Sequence, residues 1–328
     1  MAVEAGVLVL ARTQEDAPSA ATRELLSLAR RLCEQAGGAV TAFLPEAGDD
    51  AIANELIRQG ADTVLTAEEG TTCDDEVLTR CLAQITAQTH PAAILLVHDS
   101  VGADVAPRLA VRLGAGVATD CIAIAPHDDR LVALRPCYGG KLLSEISARK
   151  PPLLATVRRG SQEIAAPDVT RRGSIGKIAL VPADYTARKR VVKNDTRGSE
   201  ADLESARIVI AGGRGLEAEE GFRMLEELAE LLGAAVGASR VACDLGWYPH
   251  TRQIGLTGRV VSPELYLAVG ISGASQHMVG CAGAKTIVAV NRDPEAFIFK
   301  AARYGIVGDC REIVPALIEN LKTARPAT

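Results

Sequence analysis

The chain has 328 residues, about twice the usual size of a single domain, and we therefore expect two domains. Hydrophobic residues make up 48% of the sequence and charged residues 23%, a balance typical of globular proteins that bury sizeable cores. Aromatic residues are only 3% and the formal net charge is -5, so the composition disfavours both base stacking and binding to a phosphate backbone, and we expect no nucleic-acid partner.

Short apolar runs alternate with amphipathic segments in the first third of the chain. The pattern predicts strands over residues 7–11, 39–44, 63–66 and 93–98. It predicts helices over residues 20–35, 51–59, 75–88 and 101–113. Gly37 and Gly38 are expected to end the first helix, because glycine is common at helix C-termini. This alternation predicts a parallel sheet with helices on its faces.

Three further apolar runs follow, at residues 121–125, 131–135 and 153–157. No long helix separates the first two. We therefore expect these runs to form an antiparallel extension of the sheet.

The character of the sequence changes in residues 170–200, which hold eight Lys or Arg but only three Asp or Glu. A basic stretch rich in small polar residues is typical of a solvated linker or surface strap, and we place a linker at residues 186–200. The alternative is that the stretch docks onto an acidic partner surface.

A second α/β unit follows from about residue 201. Strands are predicted over residues 207–211, 265–269, 285–290 and 304–307, and helices over residues 217–232 and 311–323. The fold class is therefore α/β, with two domains that are each a mainly parallel sheet with flanking helices. A Rossmann-like scaffold domain is expected over residues 1–185 and a doubly wound domain over residues 201–328.

The eight cysteines are scattered and include no CxxC pair, and the five histidines do not cluster with them. We therefore expect no metal site. Scattered thiols in a chain of this size indicate a reducing, cytoplasmic compartment. Every apolar run is shorter than the ~18 residues of a membrane helix, so we expect no direct membrane insertion.

Polar and glycine residues follow three strands of the second unit, at residues 212–214, 270–277 and Asn291. The carboxyl ends of parallel strands share one edge of the sheet, where such folds bind ligands. Small residues there let backbone N–H groups approach a phosphate, so the pattern indicates a nucleotide or dinucleotide site. Neither a strict GxGxxG nor a P-loop is present, and each loop alone is also compatible with an ordinary turn or helix cap.

Arg240 and His277 are the polar residues of greatest interest near these loops, although each could be an ordinary surface or core residue. If a flavin occupies the site, both have a clear role. A cation or N–H donor near the flavin N1 and C2 carbonyl stabilises the reduced, negatively charged ring and raises its reduction potential. Thr257 could supply a hydroxyl to the ring edge.

The second half of the chain also carries family motifs. In chain order they are AGGRGL, GAAVGASR, QIGLTGRVVSPELY and LYLAVGISGASQHMVGCAGAKTIVAVNRDPEAFIFKAARYGIVGD. With these motifs the chain closely resembles the alpha subunits of electron transfer flavoproteins. Weaker matches in GADVAPRLAVRLGAGVATDC, RPCYGGK and PPLLATVRRG extend the resemblance to nearly the whole chain. One departure is Arg303, where relatives often carry an acidic residue.

The resemblance implies that the C-terminal domain binds one FAD. The residues that would contact it are Arg214, Ser239, Arg240, Gln253, Gly255, Thr257, Ser272, Gly273, Gln276, His277, Asn291 and Asp309. By the same resemblance, Arg240 lies over the isoalloxazine ring, His277 reaches its C2 carbonyl and Thr257 reaches the N5 side. The loop of residues 270–276 holds the pyrophosphate, and Asn291 and Asp309 lie toward the adenosine.

The resemblance further implies a heterodimer with a beta subunit that holds AMP or a second FAD. Such a pair is an electron carrier rather than an enzyme that converts a substrate. It takes electrons from flavin dehydrogenases, of the acyl-CoA dehydrogenase class, and delivers them to a quinone oxidoreductase or another acceptor. No residue is expected to act as a nucleophile or a metal ligand.

Three alternatives stay open at the level of sequence. The chain could be the alpha subunit of an electron-bifurcating flavoprotein that uses NADH bound to its beta subunit. It could be a nucleotide-binding hydrolase or deacylase of sirtuin-like architecture, with His277 as general base. It could also be a redox-inactive scaffold or sensor that binds a nucleotide only for structure.

Overall fold

The chain folds into two units, Met1–Val191 and Val192–Thr328, and each contains its own parallel β-sheet. The structure is a computed structural model. It describes residues 6–14, 16–47, 50–67, 74–128, 130–138, 140, 142–178, 203–204 and 206–324. The linker predicted at residues 186–200 lies outside these residues, as do the predicted domain boundaries at 185 and 201.

The described part of the first unit has a seven-stranded sheet at its centre. The strands of the unit are β1 (Val7–Leu10), β2 (Thr13–Gln14), β3 (Ala17–Pro18), β4 (Val40–Ala47), β5 (Thr63–Ala67), β6 (Ala93–Val97), β7 (Val117–Cys121), β8 (Ala123–His127), β9 (Arg130–Cys137), β10 (Leu142–Ser147), β11 (Leu153–Val157) and β12 (Ser174–Ile178). The helices are α1 (Ala20–Ala36), α2 (Asp50–Arg58), α3 (Asp75–Thr89) and α4 (Ser100–Leu113). The sheet is parallel, in the order β12-β5-β4-β1-β6-β11-β7. Strands β1, β6 and β11 are buried along their whole length, as expected where helices cover both faces of a parallel sheet.

The helices of this unit begin and end at residues suited to those positions. The hydroxyl of Ser19 accepts the N–H of Thr22 at the start of α1, and the carboxylate of Asp74 accepts the N–H of Val77 at the start of α3. Such caps satisfy N–H groups that the helix leaves unpaired and contribute about 1 kcal/mol each. Helix α1 ends at Gly37 with φ +82°, so the prediction that glycine ends this helix is confirmed.

The expected antiparallel extension is wrong for β11. Strands β8, β9 and β10 do pair antiparallel, but they form a sheet of their own. Strand β11 instead lies between β6 and β7 and is parallel to both. The apolar sequence of β11 suits this position, because all five of its residues are buried, as is typical of a strand inside a parallel sheet with helices on both faces.

The basic stretch after residue 170 is partly a strand rather than a linker. Strand β12 adds to the edge of the first sheet by pairing parallel with β5, and the Ser174 and Thr63 hydroxyl oxygens lie 2.9 Å apart. Just before it, the guanidinium of Arg171 pairs with the carboxylate of Asp62. Residues 171–178 therefore belong to the fold of the first unit, which corrects the expectation of a solvated strap for that portion.

The second unit is built around a six-stranded parallel sheet. Its strands are β13 (Ile208–Gly212), β14 (Ala235–Ser239), β15 (Gln253–Ile254), β16 (Leu265–Val269), β17 (Thr286–Asn291) and β18 (Tyr304–Val307). The helices are α5 (Glu220–Leu232), α6 (Arg240–Asp244), α7 (Ser275–Cys281) and α8 (Cys310–Ala324). The strand order is β15-β14-β13-β16-β17-β18, so the chain moves outward from β13 on one side and then crosses to β16 on the other. The predicted fold class, α/β with mainly parallel sheets in two domains, is confirmed.

The side chains of β16 divide the core of this unit into two layers. Leu267 and Val269 pack in the layer that also contains buried residues of α5 and α8. Tyr266 and Ala268 point to the opposite face, where they pack with Cys281 of α7. This alternation follows from the two-residue period of a strand, and it directs Tyr266 toward α7.

Candidate functional site

A cavity of about 710 Å³ opens at the carboxyl edge of the second sheet. Its volume lies within the ~300–1,000 Å³ of typical small-molecule sites. It lies where the strand order reverses between β13 and β16, the position at which open α/β sheets bind ligands. The residues of the predicted site that line it are Arg214, Ser239, Arg240, Gln253, Gly255, Thr257, Ser272, Gln276, His277 and Asn291.

The loops that follow β13 and β16 touch each other through their backbones. The N–H of Gly213 donates to the carbonyl of Val269, and the N–H of Gly215 donates to that of Gly270, each over 2.9 Å. A Cβ atom added to Gly215 would lie only 2.7 Å from the Cα of Gly270. Since no side chain stands between the loops, the wall here is bare backbone that a phosphate group can approach closely.

The charged residues of the lining are predominantly basic. They are Arg214, Arg240, Arg292 and Asp293, which makes three guanidinium groups to one carboxylate, and Arg292 also pairs with Glu217 outside the lining. This excess of positive charge favours an anionic ligand such as a pyrophosphate. The side chain of Arg240 is 66% exposed and its Nε lies 3.3 Å from Oδ2 of Asp244. An exposed ion pair of this kind contributes ~0–1 kcal/mol, so the guanidinium can turn to a ligand at little cost.

His277 lines the cavity although only 7% of it is exposed. Burial lowers the pKa of His277 to about 4, against a smaller opposing effect of the Ile254 backbone, so the imidazole is neutral at pH 7. Its Nε2 lies 2.8 Å from Oη of Tyr266. Its Nδ1 is buried and has no partner at full hydrogen-bond geometry within the described residues, so the hydrogen bond of the ring to the Ile254 backbone that opposes the fall in pKa is weak. A buried polar atom whose hydrogen bond is poorly made costs ~1–3 kcal/mol, so a better partner from a ligand would stabilise it.

Gln253 and Thr257 form a hydrogen-bonded pair in the cavity wall. The Nε2 of buried Gln253 donates to Oγ1 of Thr257 over 3.0 Å. Between them, the carbonyl of Gly255 accepts the N–H of Gly258 and closes a tight turn. Because Thr257 is the acceptor in this pair, its own hydroxyl proton can be donated to a ligand.

Comparison with known proteins gives two family matches. The family model described as the electron transfer flavoprotein domain matches residues 7–183, and the one described as the electron transfer flavoprotein FAD-binding domain matches residues 202–282. The electron transfer flavoprotein subunit alpha of Bacillus subtilis is 41% identical over 319 residues, which cover 96% of this chain and 97% of that protein. The chain belongs to the electron transfer flavoprotein alpha-subunit family.

Other relatives also match over nearly the whole chain. The electron transfer flavoprotein subunit alpha of Mycobacterium leprae is 37% identical over 325 residues, with 98% of this chain and 99% of the relative covered. The Protein FixB of Azotobacter vinelandii is 36% identical over 311 residues, with 91% and 86% covered. The resemblance seen in the sequence is thus confirmed, and it extends over both units.

The cavity fits the FAD that the family's domain description names. The matched residues 202–282 include the loops after β13, β14, β15 and β16 that build most of its wall. The three arginines suit a pyrophosphate, and the poorly paired Nδ1 of His277 suits a polar atom of the ring, such as a carbonyl oxygen. The second unit of this electron transfer flavoprotein alpha subunit therefore contains a cavity with the charge and the hydrogen-bonding groups that suit FAD.

Two residues of the predicted FAD set, Gly273 and Asp309, are not among the lining residues. Gly273 packs against a 3-10 turn, where an added Cβ would lie 2.2 Å from the backbone nitrogen of Ile298. Asp309 precedes α8 and pairs with Arg311 over 2.6 Å. Hydrogen bonds from the Arg311 side chain lower the pKa of Asp309 to about 2. Both residues have a structural role, and their contact with FAD stays a prediction.

Asn291 lines the cavity but already joins two of its loops. Its Nδ2 donates to the carbonyl of Ile271 over 2.9 Å, and its Oδ1 accepts the N–H of Asp293 over 3.0 Å. The adjacent Arg292 and Asp293 also line the cavity, but they are not among the site residues predicted from the sequence. Their position directly after a predicted strand was the signal that could have identified them. Tyr266, which contacts His277, carries no such signal, because an aromatic residue within a strand is typical of core.

The described ranges contain no helix long and apolar enough to cross a bilayer. The same residues contain no group of three or more His, Cys, Asp or Glu side chains that could hold a metal ion.

Proposed function

We propose that this chain is the FAD-carrying subunit of a cytoplasmic, heterodimeric electron carrier, paired with an electron transfer flavoprotein beta subunit that holds AMP. The pair would accept electrons from flavin dehydrogenases, of the acyl-CoA dehydrogenase class, and pass them to a quinone oxidoreductase or another acceptor. The observation that carries the proposal is the cavity at the carboxyl edge of the second sheet, which is lined by three arginines and by His277 in the unit that matches the family's FAD-binding domain. The names of the relatives as alpha subunits support the beta partner.

Bound FAD would supply the reversible uptake and release of electrons. The residues of this chain bind it and set how readily it is reduced. We assign the loop of residues 270–276 to the pyrophosphate, Arg240 to the isoalloxazine, His277 to its C2 carbonyl and Thr257 to its N5 side. Reduction adds negative charge to the ring, which a guanidinium and an N–H donor stabilise, so both groups raise the reduction potential.

The hydrolase alternative is disfavoured by the environment of His277. A general base works best with a pKa near the working pH, whereas burial lowers the pKa of His277 to about 4. Its Nε2 is also paired with Tyr266 rather than with a carboxylate that would stabilise a protonated ring. This histidine is suited to donate a hydrogen bond and poorly suited to accept a proton.

The experiment that tests the proposal is co-purification of the chain with its neighbouring beta subunit, followed by cofactor extraction and counting. One FAD and one AMP per pair would support the simple carrier. Two FAD per pair with reduction by NADH would favour the electron-bifurcating alternative. A nucleotide without any flavin would contradict both and favour a redox-inactive scaffold.

A further inference from the structure

A fully buried tyrosine holds the far side of the His277 ring. Tyr266 has 0% exposure, and its Oη lies 2.8 Å from Nε2 of His277. The ring centroids are 6.2 Å apart and the rings are tilted by 50°, so the contact is between hydroxyl and nitrogen rather than between stacked faces. His277 is the third residue of α7, and Tyr266 comes from the neighbouring strand β16. Two separate elements therefore fix this pair.

The direction of this hydrogen bond follows from what each atom can do. Burial raises the pKa of Tyr266 well above its ordinary value, so the hydroxyl keeps its proton and needs an acceptor. The adjacent thiol of Cys281 is a weak acceptor, and its own proton points to the backbone carbonyl of His277 at 3.8 Å. The lone pair of Nε2 is the strong acceptor within reach. The Tyr266 hydroxyl therefore donates to Nε2, and the single proton of the neutral imidazole lies on Nδ1.

We propose that Tyr266 is a positioning residue that fixes His277 in its neutral Nδ1–H tautomer, so that this residue of the cavity wall carries a hydrogen-bond donor at Nδ1. In the opposite tautomer Nδ1 would carry a lone pair, which would repel the lone pairs of a flavin carbonyl brought close to it. The value of this donor rests on the proposed function, because a flavin oxygen is the acceptor it serves. The tautomer itself is a property of this chain and is set before any cofactor binds.

The test is a direct measurement of the tautomer in the full alpha–beta pair. This chain has five histidines, so 15N-histidine labelling of this chain alone gives few ring signals, and His277→Asn identifies those of His277. Protonated and unprotonated ring nitrogens have widely separated 15N shifts. In the pair stripped of FAD we expect Nδ1 protonated and Nε2 unprotonated. In Tyr266→Phe, which removes only the hydroxyl, we expect both nitrogens to shift toward a mixture of tautomers.

A matched control is Tyr248→Phe, which removes a hydroxyl that contacts Glu226 instead of His277 and should leave both shifts unchanged. In the FAD-loaded pair, Tyr266→Phe should make the reduction potential more negative while Tyr248→Phe leaves it at the wild-type value. A wild-type Nε2–H tautomer, an unchanged tautomer in Tyr266→Phe, or an unchanged potential in that variant would each overturn the inference.

Failure of this inference and failure of the proposed function have different signatures. A yellow pair whose His277 tautomer ignores Tyr266→Phe keeps the FAD proposal and removes the role of Tyr266. A colourless pair with the expected Nδ1–H tautomer does the reverse, because the NMR measurement needs no flavin.

Discussion

Replacing His277 with alanine tests the link between the cavity and the reduction potential. The wild-type Nδ1 is buried and has no partner at full hydrogen-bond geometry within the described residues, so a flavin oxygen would be its strongest partner. The variant removes that donor and leaves unchanged the backbone loops to which we assign the pyrophosphate. We therefore expect FAD to stay bound and its reduction potential to fall.

The size of the shift follows from how the hydrogen bond changes with charge. A bond between neutral groups contributes ~0.5–1.5 kcal/mol and one to a charged group ~1.5–3 kcal/mol. Reduction would thus strengthen the His277 bond by about 1–1.5 kcal/mol, which for one electron is about 40–65 mV. The variant also leaves the Tyr266 hydroxyl with only the weakly accepting thiol of Cys281 as a side-chain partner, which lowers the free energy of unfolding by ~1–3 kcal/mol but does not enter the potential.

The assay is a potentiometric titration of the purified alpha–beta pair against reference dyes. His127→Ala is the matched control, because the side chain of His127 is 76% exposed and belongs to the first unit, and neither it nor its neighbour Asp128 lines the cavity. We expect the control to keep the wild-type potential. An unchanged potential in His277→Ala would refute the assignment of Nδ1 to the flavin.

Three other predictions concern stability, charge and packing. Burial lowers the pKa of His277 to about 4 from an ordinary value near 6.5, so the unfolded chain binds more protons in that window. The contribution of His277 to the free energy of unfolding is complete above about pH 6.5 and falls by about 3 kcal/mol as the pH drops through 4. Urea unfolding at pH 7 and pH 4.5 should therefore show a smaller loss of free energy in His277→Ala than in the wild type. Equal losses in the two proteins would contradict this prediction. Arg240→Ala should weaken FAD binding about tenfold and lower the potential, since it removes an exposed cation from the cavity wall; a titration in which neither changes would show that Arg240 does not reach the flavin. Gly215→Ala should cost the pair its FAD, because the added Cβ would lie 2.7 Å from Cα of Gly270, whereas Gly116→Ala has nothing within 4 Å and should keep it; full flavin content in both would contradict the backbone wall.

The parallel core and the place of the cavity could be predicted because local patterns determine them. Apolar runs alternating with amphipathic segments require helices on a parallel sheet, and the carboxyl ends of parallel strands share one edge. The residues following β13, β16 and β17 therefore had to come together, and Arg214, His277 and Asn291 do line one cavity.

The pairing partners of individual strands could not be predicted from local sequence. Strand β11 follows an antiparallel sheet in the chain and yet returns to an interior position of the parallel one, between β6 and β7. Strand β12 lies in a basic stretch that resembles a linker, and only its pairing with β5 makes it a strand. The contact between Tyr266 and His277 likewise depends on how α7 packs on β16, which no periodicity in the sequence reveals.

The visible absorption spectrum of the co-purified pair tests the central claim most directly. We predict a yellow protein with a flavin spectrum and one FAD in this chain, which bleaches on reduction and recovers on oxidation. A colourless pair that takes up no FAD when incubated with an excess of the cofactor would contradict the account.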